Sequence, residues 1–189
     1  MNICVYGAAS NTIDKKYIEA GEELGRKIAV RGHALVYGAG ATGMMGAVSR
    51  GVEEKGGSVT GVVPEFFTNE EVLNIDCTKL IRTKTMRERK QIMEDSSDAF
   101  IVTPGGIGTF EEFLEILTLK QLNRHNKPIV LFNVNGFYNG MISMLDEAID
   151  GNFINKECKE MYPAFENADD VLDYIENYEK MDLSKMKVR

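Results

Sequence analysis

Short, nearly uncharged runs alternate along the chain with longer stretches whose apolar residues recur at three- and four-residue spacing. Residues 3–6, 34–37, 59–63, 79–82, 99–103 and 129–132 read as strands. Between and after them, stretches near 13–31, 43–55, 85–95, 109–122, 138–150 and 168–179 read as helices. Gly32 follows the first helix as a C-terminal stop, and Pro64 ends the third strand. Residues 65–78 carry no readable period. The run Ala99-Phe100-Ile101-Val102-Thr103 has no charge inside it, as a strand covered on both faces requires. Strand–helix alternation at this spacing predicts parallel strands joined by right-handed crossovers. The expected fold is therefore α/β, a doubly wound, Rossmann-like, mostly parallel sheet with helices on both faces. One nucleotide-binding domain is expected over residues 1–180. The charged tail, residues 181–189 with Lys180 before it, is expected to fray. Ligands of such folds sit beyond the carboxyl ends of the strands, which directs attention to the loops that follow strands.

Composition narrows the function. Of 189 residues, 22 are Lys or Arg and 29 are Asp or Glu, for a net charge of -7. This balance argues against a general nucleic-acid binder, which must displace counterions with a basic surface, but leaves room for a pocket that holds one small anion. No apolar run reaches the length of a membrane span, and the first six residues read as a strand rather than a signal peptide, so no membrane partner is expected. Cys4, Cys77 and Cys158 are far apart and unpaired in sequence, so neither a disulfide framework nor a metal site is expected. A reducing cytoplasm is the expected location.

Two strand-to-helix turns are rich in glycine. The first, residues 37–46, contains Gly38-x-Gly40-x-x-Gly43. It follows the second strand rather than the first, and no acidic residue closes the next strand to hold a ribose, so a nicotinamide cofactor is disfavoured. It reads equally well as a tight packing turn and as an anion site. The second turn runs Pro104-Gly105-Gly106-Ile107-Gly108-Thr109-Phe110-Glu111-Glu112. Its glycines let a ligand approach the backbone, Thr109 is placed to cap the helix, and the helix dipole favours an anion. No Lys follows the last glycine, which excludes an NTPase P-loop. Glu111 and Glu112 read either as dipole-complementing charges in a first turn or as working carboxylates. Upstream, Met86, Arg89, Lys90 and Met93 share one helix face. Pattern alone favours cationic stems that snorkel to solvent over cations that reach a ligand. The 109–122 helix is apolar on more sides than one sheet face needs, which points to a second packing partner, the same helix of another copy.

Pro104–Glu112 fits PGGxGTxxE, Met86–Lys90 fits MxxRK, and residues 37–46 are similar to YGGGxxGLMG. Order and spacing resemble the Lonely Guy family of cytokinin riboside 5'-monophosphate phosphoribohydrolases over roughly residues 2 to 175. The resemblance implies a homodimer with its site near the subunit interface, and no cofactor. It implies hydrolysis of the N-glycosidic bond of AMP or an N6-modified AMP. By motif position, Arg89 and Glu112 would be the catalytic pair. Lys90, Gly105, Gly106, Gly108, Thr109 and Glu111 would line the substrate site, with Gly40 and Gly43 of the first turn. Glu71, or Glu70 beside it, would supply an acidic residue, and Thr118 would reach the site. Ala39, Ile107, Arg87 and the Gly7-Ala8-Ala9-Ser10 turn depart from the family pattern. A non-catalytic nucleotide or molybdenum-cofactor carrier of the same fold is the alternative. A pyridoxal lysine decarboxylase is disfavoured, because nothing in the sequence marks a buried Schiff-base lysine.

Overall fold

The computed structural model describes residues 1–69 and 72–183. Seven strands, β1 (Asn2–Tyr6), β2 (Ala34–Tyr37), β3 (Val59–Pro64), β4 (Lys79–Thr83), β5 (Ala99–Val102), β6 (Ile129–Phe132) and β7 (Ala164–Phe165), form one sheet in the order β4-β3-β2-β1-β5-β6-β7. Every neighbouring pair is parallel. The helices are α1 (Lys15–Val30), α2 (Gly43–Glu54), α3 (Met86–Asp95), α4 (Ile107–Gln121), α5 (Asn139–Asp150) and α6 (Ala168–Glu176). The doubly wound architecture expected from the alternation is present.

Burial explains the layers. β5 and β6 are buried at every position because helices cover both faces of the sheet. Leu24 and Ile28 of α1, Val48 and Val52 of α2, and Val171 and Leu172 of α6 pack on one face. Met93 of α3, Phe113 and Ile116 of α4, and Leu145 of α5 pack on the other. The α1 helix stops where Gly32 takes a positive φ of 77°, as its sequence position suggests. Strand order reverses between β1 and β5, the place at the carboxyl edge where folds of this class hold their ligands.

Several expectations are corrected. The α4 helix begins at Ile107, two residues earlier than its glycines suggest, with Gly106 as its N-cap residue. Thr109 is therefore inside the first turn and does not cap it, and Glu111 and Glu112 fall in the second turn. β7 and two 3₁₀ segments, Val134–Gly136 and Lys156–Met161, lie in stretches read as loop. Met181 and Leu183, expected in a fraying tail, are held to the body. The Met181 carbonyl accepts from Asn126 Nδ2 at 2.7 Å, and Leu183 is buried.

Candidate active site

The site is assembled by three connections at the carboxyl edge. Thr85 caps α3 by accepting from the Glu88 N–H at 3.1 Å, while the Glu88 carboxylate accepts from the Lys84 N–H at 2.8 Å. This fixes where α3 starts, and one turn later Arg89 points inward. Its Nε donates to the Val62 carbonyl at the end of β3 (3.2 Å), and its Nη1 donates to Glu112 Oε1 on α4 (2.8 Å). Both residues are 8% exposed. Gly38 makes the approach possible, since a Cβ there would stand 2.0 Å from Arg89 Nη2. Burial lifts the Glu112 carboxyl above its ordinary pKa, and the Arg89 guanidinium works against that lift. A buried pair of this kind costs about 3–5 kcal/mol when one partner is removed. The snorkelling reading of Arg89 is thus wrong, because the partner that compensates its charge lies on another helix.

Lys90 is arranged differently. Its Nζ sits between Glu111 Oε1 and Glu115 Oε2, the latter at 2.7 Å. Burial opposes its charge, but the two carboxylates prevail and its pKa lies above the ordinary lysine value. Glu115 was not singled out from sequence, although its i+4 spacing from Glu111 places both on one face. Lys90 carries no unneutralised charge toward a phosphate in this arrangement.

The N-terminus of α4 is open. Its first N–H groups have no partner within the helix, and no side chain caps it. Gly106, Ile107 and Gly108 are exposed. A Cβ added at Gly106 or Gly108 would meet no described atom within 4 Å. Gly105 is different, since a Cβ there would lie 2.1 Å from Thr109 Oγ1, so the glycine makes room for that buried hydroxyl. Beneath the turn, Tyr138 Oη donates to the Thr103 carbonyl (2.6 Å) and Thr103 Oγ1 donates to the Tyr6 carbonyl (2.9 Å). These bonds tie the ends of β1 and β5 together.

The first glycine-rich turn has another occupant. Gly43 adopts φ 64°, and its Cβ would lie 2.4 Å from the Ala8 carbonyl oxygen. A Cβ at Gly40 would lie 2.7 Å from Met45 Cε. The Met45 N–H at the start of α2 donates to the Ala8 carbonyl at 3.1 Å, and Thr42 Oγ1 donates to the Ala9 carbonyl. The loop after β1 therefore fills this turn, and of the two readings left open the packing one holds.

Other expected residues fall elsewhere. Thr118 is exposed, donates its hydroxyl to the Leu114 carbonyl (2.7 Å), and lines an open groove of about 590 Å³ on α4 with Ile107, Glu111, Leu114 and Glu115 among others. It is not brought to the buried pair. Glu70 and Glu71 lie outside the described residues. His33 contacts Glu176 at 2.8 Å, and His125 Nε2 lies 2.8 Å from the Ile116 carbonyl, with burial lowering its pKa to about 4. Neither histidine serves the site.

One lysine is buried although nothing in the sequence marks it. Lys120 is fully buried, and burial lowers its pKa to about 8. Its Nζ donates to the Lys127 carbonyl (2.9 Å) and lies 4.8 Å from the centre of the Tyr178 ring. It belongs to a packed interior at the far end of α4, roughly 16 Å along the helix from Thr109 at 1.5 Å per residue. Among the described residues, no group of three His, Cys, Asp or Glu could hold a metal ion, and no helix is long and apolar enough to cross a membrane.

Comparison with known proteins accords with this geometry. A family model described as possible lysine decarboxylase matches residues 45–175. The chain is 36% identical to cytokinin riboside 5'-monophosphate phosphoribohydrolase LOG2 of Arabidopsis thaliana, over 93% of this chain and 83% of that protein. It is 38% identical to the probable cytokinin riboside 5'-monophosphate phosphoribohydrolase LOGL5 of Oryza sativa subsp. japonica, over 93% of this chain and 72% of that one. Among solved structures, the molybdenum cofactor carrier protein of Chlamydomonas reinhardtii superposes with a TM-score of 0.70 at 21% identity, covering 93% of this chain and 95% of that chain. At that identity the likeness speaks for the fold alone.

Proposed function

The chain belongs to the Lonely Guy family, the group behind the possible lysine decarboxylase description, and from that premise we propose that it hydrolyses the N-glycosidic bond of a nucleoside 5'-monophosphate, AMP or an N6-modified AMP. The observation that carries the reading is the buried Arg89–Glu112 pair set beside the open N-terminus of α4. The 5'-phosphoryl group binds the N–H groups of Gly106, Ile107 and Gly108 and the helix dipole. With the phosphate there, ribose C1' faces Glu112, one turn further along α4.

Cleavage of the C1'–N bond builds positive charge on the ribose, as in glycoside hydrolysis. An ionised Glu112 in a water-poor pocket stabilises that charge, and it orients the water whose oxygen bonds to C1'. The bonding pair of C1'–N leaves with the base, the water gives up one proton as its oxygen bonds to C1', the base takes up one, and the products are free base and ribose 5-phosphate. Arg89 keeps Glu112 ionised and aimed. A guanidinium does not release its proton near neutral pH, so Arg89 is not the acid. Lys90 with Glu111 and Glu115 forms the outer wall. The exposed apolar side of α4, with Ile107, Leu114 and Leu122, packs against a second copy, which makes the working unit a homodimer.

Incubating the protein with AMP and separating the products tests the reading. Adenine and ribose 5-phosphate are expected from the wild type. The Glu112→Gln variant is expected to bind AMP but to release adenine at least about a hundredfold more slowly. Full activity in that variant would refute the assignment, and a monomeric mass in light scattering would refute the dimer.

A further inference from the structure

The β3–β4 connection presents two aromatic side chains to solvent at the same sheet edge. Phe66 is 58% exposed and Phe67 44%, and their rings lie 5.0 Å apart at 31°. The backbone that carries them is held. The Glu65 N–H donates to the Thr83 carbonyl (2.8 Å), and the Phe67 N–H donates back to the Pro64 carbonyl (3.1 Å), so a tight turn keeps both residues at the carboxyl end of β3. Further along, the Ala41 N–H donates to the Val72 carbonyl and the Asn74 N–H to the Ala39 carbonyl, both at 2.9 Å. These bonds stitch the connection across the end of β2. Neither phenylalanine belongs to a core cluster, and an exposed aromatic pair is the kind of surface that a ligand's flat face covers.

All strands of this sheet run in one direction, so the Phe66–Phe67 turn and the N-terminus of α4 share an edge. The β1 and β2 strands separate β5 from β3, which sets the two features about 14 Å apart at the usual strand spacing. Between them lies Arg89, bonded both to Glu112 and to the Val62 carbonyl, two residues before Pro64. That span suits an extended nucleotide with its phosphoryl group at α4, its C1' at Glu112 and its base toward β3.

We propose that Phe66 and Phe67 form the platform on which the substrate's purine base stacks, and on which the base is held as it leaves. This rests on the phosphoribohydrolase reading of the same site and adds what recognises the leaving group. Stacking accepts any π-face, and a base extends the tilted pair on the outer face of one ring, where the larger purine gains more overlap than a pyrimidine.

The test compares wild type, a Phe66→Ala/Phe67→Ala double variant and a Phe66→Tyr/Phe67→Tyr double variant. Binding of AMP and of ribose 5-phosphate is measured by calorimetry, and adenine release by chromatography. The alanine variant is expected to bind AMP about ten- to a hundredfold more weakly while binding ribose 5-phosphate within twofold of wild type. The tyrosine variant is expected to restore AMP binding, and light scattering to give the same mass for all three. Unchanged AMP affinity overturns the proposal. So does an equal loss for ribose 5-phosphate, which would mean that the loop had collapsed, or a reduced mass, which would mean that the pair joins subunits. If wild type binds AMP through the pair yet releases no adenine, the platform stands and the hydrolase reading falls. If wild type does not bind AMP, both fall.

Discussion

Two glycine-rich turns, each between a strand and a helix of one sheet, do opposite things with their glycines. In the turn before α2 the missing side chains are replaced by protein. The Ala8 carbonyl stands where a Gly43 Cβ would be, and the Ala41 carbonyl stands where a Gly46 Cβ would be, at 2.0 Å. In the turn before α4, Gly106 and Gly108 face space that no described atom enters. The same residue type therefore marks a packed junction in one place and a vacant cradle in the other. The difference lies in whether a neighbouring loop supplies the acceptors for the helix N-terminus. At α2 the loop after β1 does so through Ala8, and at α4 no described protein group does.

The sharpest way to break this comparison is to add one methyl group to each turn. Gly43→Ala meets backbone at 2.4 Å with φ at 64°, so it is expected to lower stability by about 3 kcal/mol or more, roughly 10 °C in Tm for a chain of this size. Gly108→Ala is expected to leave Tm unchanged or raise it slightly, because alanine is the better helix former by about 1 kcal/mol. The same variant should raise KM for AMP about tenfold or more by crowding the phosphoryl group. Thermal melts and initial rates on the two variants decide it. A destabilised Gly108→Ala, or one with unaltered KM, would erase the distinction.

Gly38 lies between the two cases, for its space is filled by the Arg89 guanidinium rather than by backbone. Gly38→Ala displaces that group from Glu112, so kcat is expected to fall about a hundredfold, with KM for AMP within threefold of wild type. A variant with wild-type kcat would show that Arg89 does not need its present position.

Why the two turns look alike in sequence is instructive. The strands were legible because Phe100-Ile101-Val102 and Ile129-Val130-Leu131-Phe132 are apolar without interruption, a local property. The start of α4 was not, because Gly106-Ile107-Gly108 has poor helix propensity and only the fold makes it a first turn. Pattern alone misreads Arg89 for a related reason, although the family motif pairs it with Glu112. Its partners are Glu112, 23 residues on, and the Val62 carbonyl, 27 residues back, and no periodicity within one helix reports either. Lys120 has the same origin, since its burial depends on the Lys127 carbonyl and the Tyr178 ring. The motif spacing points to Gly105 to Glu112, of which Gly106, Ile107 and Gly108 lie at an open helix terminus, and also to Gly40 and Gly43, whose surroundings are protein.

The acid limb of the pH profile sharpens the account of Glu112. In the proposed reaction its ionised form is the working one, and burial raises its pKa, so kcat/KM is expected to decline with acid at a pH above that of an ordinary glutamate. Arg89 holds that pKa down. In Arg89→Ala the opposing charge is gone while burial remains, so the limb should move further toward neutral pH, in addition to a loss of turnover. A limb that stays in place would mean that a different group titrates.

The smallest expected effect comes from the threonine of each turn. Thr42 Oγ1 donates to the Ala9 carbonyl, a bond between protein groups, so Thr42→Ala is expected to cost about 1 kcal/mol of stability and to leave KM alone. Thr109 is buried, with its Oγ1 beside Gly105 of the open turn. If that hydroxyl serves the proposed phosphoryl site, Thr109→Ala is expected to shift Tm by about 2 °C or less and to raise KM for AMP about fivefold, the worth of one hydrogen bond. The two variants differ only in which turn loses its hydroxyl. If both changed Tm and neither changed KM, the α4 turn would be a packing junction like its counterpart, and the phosphoryl group would have to bind elsewhere along the edge.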